Sequence, residues 1–246
     1  MKGLSLHIGL NKIDKKSYDP LLVPDLKACE FDAIDMENLA KKIGYETSIL
    51  LSAQATYETV VQAIINAASQ LKSGDIFLLT YSGHGSQVLD RNGDESDGLD
   101  ETWVLYDRQI VDDELYELWS KFKAGVRIVV VSDSCHSGSV TRSGVPVEEN
   151  LTAIKNGLKE KSIPVCQACG ILLSGCQDSQ VAMDGDRNGL FTQKLLEVWS
   201  DGKFVGAYRQ FRDAIAAKLP KRQSPNYFTF GKASTNFYKQ KPFTIK

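Results

Sequence analysis

Residues 76–85 read IFLLTYSGHG, and residues 127–138 read RIVVVSDSCHSG. Each stretch opens on an unbroken apolar run and closes on a small, polar, glycine-containing turn. Strands buried on both faces look like this, because a parallel sheet covered by helices on both sides has no solvated face to mark by alternation. Ligands in such sheets bind beyond the carboxyl ends of the strands. If the two runs are neighbours and parallel, His84 and Cys135 meet at one edge.

Outward from these runs, strand and helix patterns alternate. Leu4–Gly9, Thr47–Leu51 and Gly170–Ser174 read as further strands, and Tyr227–Phe230 as a last one. Ala33–Ile43 has apolar residues at 33, 36, 39, 40 and 43, a helical spacing. Thr56 can cap a helix whose apolar stripe is Val60, Val61, Ile64, Ile65, Ala68 and Leu71, broken at Ser73-Gly74. Val111–Phe122, Phe191–Trp199 and Ala207–Leu219 also read as helices. This order predicts an α/β fold, a three-layer α/β/α sandwich on a mostly parallel central sheet. Residues 137–165 are rich in Ser, Gly, Lys and Glu with little periodicity and read as a linker. The expected organisation is one domain over 1–246, divided into 1–136, the linker, and 166–246.

A His beside a Cys can accept the thiol proton and leave a thiolate, the actual nucleophile. Cys135 is the candidate nucleophile and His84 the candidate general base. The N–H groups of Gly85 and Cys135 are candidates to hold a developing oxyanion, and glycines flanking His84 let backbone approach a substrate closely. No third residue is identified to orient His84. A competing signal, Gln167-Ala168-Cys169-Gly170, precedes a strand and would sit at the wrong end of the sheet. Cys166 and Cys169 form a single CxxC with no second pair, which argues against zinc.

The 246 residues are 42% apolar and 24% charged, with net charge −2. That is ordinary globular composition and excludes collagenous and disordered chains. Near-neutral charge argues against a dedicated nucleic-acid partner. No run approaches the roughly 20 apolar residues of a membrane helix, and MKGLSLHIGLNK is no secretory signal. Five cysteines, an odd count, suggest reduced thiols and a cytoplasmic location. Charge is unevenly placed. Residues 90–114 hold ten acids and two bases; so acidic a segment repels itself unless a cation or a basic ligand sits there, and the plainer reading is a solvated acidic loop.

The chain resembles the metacaspases, within the caspase-like clan of cysteine peptidases. The resemblance rests on YSGHGSQ (81–87) and DSCHSG (133–138), similar to that family's His and Cys motifs. LKACEFDAIDM (26–36), GDESDGLDE (93–101), SGCQDSQVAMD (174–184) and QSPNY (223–227) resemble further blocks, so the likeness spans nearly the whole chain. It implies a bare caspase-like catalytic domain, expected as a monomer, acting on peptides or proteins by cleavage after Arg or Lys. Matched block to block, the basic side chain would meet Asp32, Ser82 and Asp133. Ser82 lies two residues before His84 and Asp133 two before Cys135, and residues i and i+2 of a strand share a face. Asp32 is equally placed to cap the helix over Ala33–Ile43.

The resemblance also implies activation by Ca2+ bound outside the catalytic centre. Asp112 and Asp113 match one part of that site, and an acid from Asp97 or Asp100 would supply another. The further acid expected after the Cys motif is replaced by Val140-Thr141-Arg142. Asp90, Asn92, Asp94, Ser96 and Glu101 have EF-hand spacing, but Glu95 occupies the position that requires Gly. Self-cleavage in the linker, at Arg142, Lys155, Lys159 or Lys161, is a further implication. Two other readings stand beside the peptidase: a catalytically silent caspase-like interaction or regulatory module, and an enzyme of the same clan acting elsewhere. The intact Cys–His pair argues against the first, and the acidic pocket residues against the second.

Overall fold

The computed structural model describes residues 1–19, 21, 23–89, 99–134, 165–175, 187–221 and 223–246. Cys135, His136, Cys176, residues 90–98 including Asp90, Asn92, Asp94, Glu95, Ser96 and Asp97, and the 137–164 stretch with Arg142, Lys155, Lys159 and Lys161 lie outside them. In chain order the elements are β1 (Gly3–Gly9), α1 (Cys29–Lys42), β2 (Glu46–Leu51), α2 (Tyr57–Gln70), β3 (Ile76–Ser82), β4 (Gly85–Leu89), β5 (Leu99–Val104), β6 (Gln109–Val111), α3 (Asp112–Ser120), β7 (Arg127–Asp133), β8 (Cys169–Ser174), α4 (Leu190–Trp199), α5 (Tyr208–Ala216), β9 (Asn226–Gly231) and α6 (Thr235–Tyr238).

The main sheet has the order β2-β1-β3-β7-β8-β9, parallel except for the antiparallel β9. Alternate residues of its strands feed two cores. Phe77, Leu79 and Tyr81 of β3 join Val60 and Ile64 of α2 and Leu115 and Leu118 of α3. Ile76 and Leu78, with Val129 and Val131 of β7, join Met36 and Leu39 of α1, Leu195 of α4 and Phe211 of α5. Helices thus cover both faces, which is the expected three-layer sandwich. All seven residues of β1, β3 and β7 are buried, which is why β3 and β7 open on unbroken apolar runs.

Register brings the strand ends together. Ser82 pairs with Asp133, and Gly9 with Ser82. Across this edge α1 passes close over β1, since a Cβ on Gly9 would fall 2.3 Å from the Cys29 carbonyl oxygen.

Three features depart from the sequence reading. First, α1 begins at Cys29, four residues before the apolar periodicity. Its N-cap, Ala28, offers no side-chain bond. Asn11 substitutes from a distance, accepting from the Glu30 N–H at 3.2 Å and donating to the Lys27 carbonyl at 3.2 Å. Asp32 is therefore inside the helix, and the capping role is overturned. Second, much of the acidic 90–114 region is built into an antiparallel sheet of β4, β5 and β6. Two of its acids serve the scaffold. Asp107 accepts from the Tyr57 N–H at 2.7 Å, and Glu114 pairs with Arg108 at 2.7 Å while accepting from Tyr57 and the Val111 N–H. Third, the short helix α6 follows β9.

Candidate active site

His84 sits between β3 and β4, fixed through its backbone. Its carbonyl accepts from the Val104 N–H at 3.0 Å and from the Tyr81 hydroxyl at 2.7 Å. The Tyr81 ring stacks on Trp103 with centroids 4.4 Å apart. A Cβ on Gly83 would fall 2.6 Å from that hydroxyl, so this glycine makes room for Tyr81, not only for a substrate.

The His84 ring does have an orienting partner, contrary to the sequence reading. Nε2 lies 2.7 Å from the Pro24 carbonyl oxygen. A carbonyl only accepts, so Nε2 is the donor, and in the neutral ring Nδ1 carries the lone pair that takes up a proton. A backbone carbonyl sixty residues away has no side-chain signature, which is why the sequence hid it.

Gly85 begins β4 opposite Trp103. Bonded and non-bonded pairs alternate along an antiparallel ladder, and Val104 bonds to His84. Gly85 and Trp103 are thus a non-bonded pair, and the Gly85 N–H points away from β5.

Asp32, Ser82 and Asp133 come together on the sheet face covered by α1 and α4, all three buried. The Ser82 hydroxyl donates to Asp32 Oδ2 at 2.7 Å. The Gly189 N–H donates to both Asp32 oxygens, at 3.0 and 3.1 Å. Thr192 donates its N–H and hydroxyl to Asp133 Oδ2, at 2.9 and 2.8 Å. Burial first, and the Asp133 charge second, push the Asp32 carboxyl well above the ordinary range against the pull of these donors. Gly189 and Thr192 were missed in sequence because their own stretch carries no motif beyond a helical pattern.

Of the other candidates, Cys169 is the buried first residue of β8, paired with Arg127 at the start of β7. Burial pushes its thiol up, away from nucleophilic character. His7 is fully buried in the sheet between Ser5 and Thr80, each 2.9 Å from a ring nitrogen, and burial holds its pKa down to about 3. It is a neutral structural residue.

Asp112 opens α3. Burial, then the neighbouring Asp100, Glu101 and Asp113, push its carboxyl up to about 7, with only the Asp113 N–H bond acting in the other direction. Among the described residues no three or more His, Cys, Asp or Glu side chains are grouped so as to hold a metal ion. Carboxylate oxygens are the type of donor that Ca2+ takes, but the described acids by themselves do not form a group that could hold it.

An α/β/α sandwich with a histidine and two buried acids at the carboxyl edge of its mostly parallel sheet points to a caspase-like fold. Comparison with known proteins agrees. A family profile described as a caspase domain matches residues 9–243, and the chain belongs to that family of C14 peptidases. A crystal structure of protein GSU0716 from Geobacter sulfurreducens is similar at TM-score 0.89, with 43% identity over 99% of both chains. Caspase-1 of Spodoptera frugiperda shares the fold alone, at TM-score 0.64 and 12% identity, over 94% of this chain and 86% of its own. Metacaspase-1 of Schizosaccharomyces pombe is 28% identical over 79% of this chain and 58% of its own length. Metacaspase-1A of Aspergillus oryzae is 35% identical over 55% of this chain and 34% of its own length. The chain thus spans between about one third and three fifths of these two curated relatives. No helix among the described residues is long and apolar enough to cross a membrane.

Proposed function

We propose that this chain is a cysteine endopeptidase cleaving after Arg or Lys. Cys135 follows Asp133 and Ser134 in the chain, and β7 ends beside the β3 end that carries His84. The Cys135 thiol gives its proton to His84, and the thiolate attacks the scissile carbonyl carbon. The oxyanion that forms is held by the N–H groups of Gly85 and Cys135. The C–N bond breaks as His84 passes its proton to the leaving amine. Water, deprotonated by His84, then releases the acyl group and restores the thiol.

The observation that carries the reading is the pair of buried carboxylates, Asp32 and Asp133, packed with Ser82 at the edge that holds His84. Two buried acids near each other disfavour a shared negative charge, and a guanidinium or ammonium entering between them relieves it by charge-assisted bonds.

Ca2+ as an activating ion is part of the proposal. Asp112, Asp113 and Asp100 would hold it, with Asp97 contributing from the stretch before β5. Bound there, the ion would neutralise the repulsion around Asp112 and steady β5 and α3. Self-cleavage at Arg142, Lys155, Lys159 or Lys161 follows from the same basic specificity.

The test is hydrolysis of paired fluorogenic peptides ending in Arg, Lys or Asp, with Ca2+ and with chelator, by wild type and Cys135→Ala. Cleavage after Arg or Lys that disappears in the variant is expected. Cleavage after Asp, or none in any lane, overturns the reading. A thiol-reactive Arg peptide should label Cys135.

A further inference from the structure

We infer that Gly189 and Thr192, at the start of α4, are positioning residues of the basic-side-chain pocket. Thr192 aims the Asp133 carboxylate, and Gly189 keeps open the space that both carboxylates share. The inference rests on the proposed specificity and names what sets it.

Asp32 and Asp133 come from different elements, α1 and β7. Besides Ser82 of β3, which donates to Asp32, donors to both acids come from one further turn of chain. Gly189 serves Asp32 through its N–H, and Thr192 serves Asp133 through its N–H and hydroxyl. Both Thr192 bonds fall on the same oxygen, Oδ2, which fixes the rotation of the carboxylate and so the direction of Oδ1.

Gly189 is required here for space and not for conformation. Its φ of −55° and ψ of 144° are open to any residue. A Cβ there, however, would lie 2.4 Å from Asp133 Oδ2 and 2.9 Å from Asp32 Oδ2. Those atoms are carboxylate ends on short side chains whose other bonds hold them in place, so a methyl group would drive the two acids apart. The turn is itself anchored to α1. Asp35 accepts from Asn188 at 3.1 Å and pairs with Arg187 at 3.2 Å, and the Arg187 guanidinium lies over the Phe31 ring at 5.5 Å. One helix start thereby sets the spacing between two acids that belong to different layers of the fold.

The test compares wild type, Thr192→Val, Thr192→Ser and Gly189→Ala in steady-state cleavage of an Arg peptide between pH 5 and 9. The inhibition constant of benzamidine reads occupancy of the pocket without chemistry. Thr192→Val keeps the shape and removes the hydroxyl. It should raise KM and the benzamidine constant about tenfold, the scale of one hydrogen bond to a charged group, with kcat falling less than about threefold. Removing a donor to the charged form favours its protonation. The acid limb of kcat/KM should therefore move up by at least about half a pH unit. Thr192→Ser should restore all three values to within about twofold, which a merely structural role of the side chain would not predict. Gly189→Ala should weaken benzamidine at least about tenfold, and it carries the test should Thr192→Val fail to fold.

Wild-type KM, inhibition constant and pH limb in Thr192→Val overturn the inference while leaving Arg cleavage by the wild type intact. A wild type that neither cleaves after Arg nor binds benzamidine overturns the proposed specificity and the inference with it.

Discussion

The buried Asp32–Asp133 pair and the partly exposed cluster around Asp112 both contain a carboxyl pushed well up from its ordinary range, but in different company. In the pocket, neutral donors converge: Ser82, Gly189 and Thr192 supply hydroxyl and backbone hydrogens to fixed oxygens. Around Asp112 the charged neighbours are Asp100, Glu101 and Asp113, and burial and their charges raise its carboxyl against the bond from the Asp113 N–H. Oriented donors pre-set the direction of each oxygen, which suits a ligand of fixed shape such as a planar guanidinium. Crowded acids without such guides suit a spherical ion that lets its ligands adjust. The same raised pKa therefore arises beside oriented neutral donors in one place and among crowded acids in the other.

The largest expected effect breaks the pocket side of this contrast. Asp133→Ala or Asp32→Ala should lower kcat/KM for an Arg peptide by at least about 100-fold, near 2.7 kcal/mol of transition-state binding. Loss of one member of a buried ion pair is on the order of 3–5 kcal/mol, so the figure is a floor. Unchanged turnover in either variant would remove that residue from the pocket. A smaller effect sharpens the other side. If Ca2+ binds the wild type and raises its Tm, Asp112→Ala should abolish both effects, the binding read by calorimetric titration. Binding that survives in the variant would place the ion elsewhere.

The fold was open to reading where one rule acted alone. The buried runs of β3, β7 and β8 and the periodic stripe of α2 needed no partner to be recognised, and Thr56 caps α2 as its type suggests. The start of α1 was hidden because its cap comes from Asn11, on a separate segment. The β4–β6 sheet was hidden because its acids outweigh its strand pattern: Gln87 opposes Glu101 and Val88 opposes Asp100 across β4 and β5. In the candidate site, His84 announced itself by lying where an apolar strand ends, whereas Asp32, Ser82 and Asp133 were implied by the family resemblance. Pro24 was invisible since only its carbonyl acts, and Thr192 since its bonds depend on how α4 meets β7. Side chains that act across the fold leave no spacing to detect.

The smallest expected effect concerns pH, and it separates the acids from the buried histidine. Asp112 has a folded-state pKa near 7, above its value in the unfolded chain, so the folded protein holds that proton more tightly. Its contribution favours the fold below about pH 4 and is lost as pH rises toward 7. His7 acts in the opposite sense. Its folded pKa of about 3 lies below the ordinary 6.5, so protonation in the unfolded chain erodes stability as pH falls from about 6.5 to 3. The two windows overlap, and the difference between wild type and Asp112→Asn isolates the acid. The variant should gain Tm relative to wild type as pH rises from about 4 to 8, by a few degrees, since about 1 kcal/mol corresponds to about 2–4 °C in a chain of this size. Ca2+ should shrink that gap at pH 8 and leave it unchanged at pH 4, because a cation competes with a proton only where the carboxylate has lost it. A gap that is flat with pH would mean that Asp112 is charged throughout, and the acid cluster would then need no ion to relieve it.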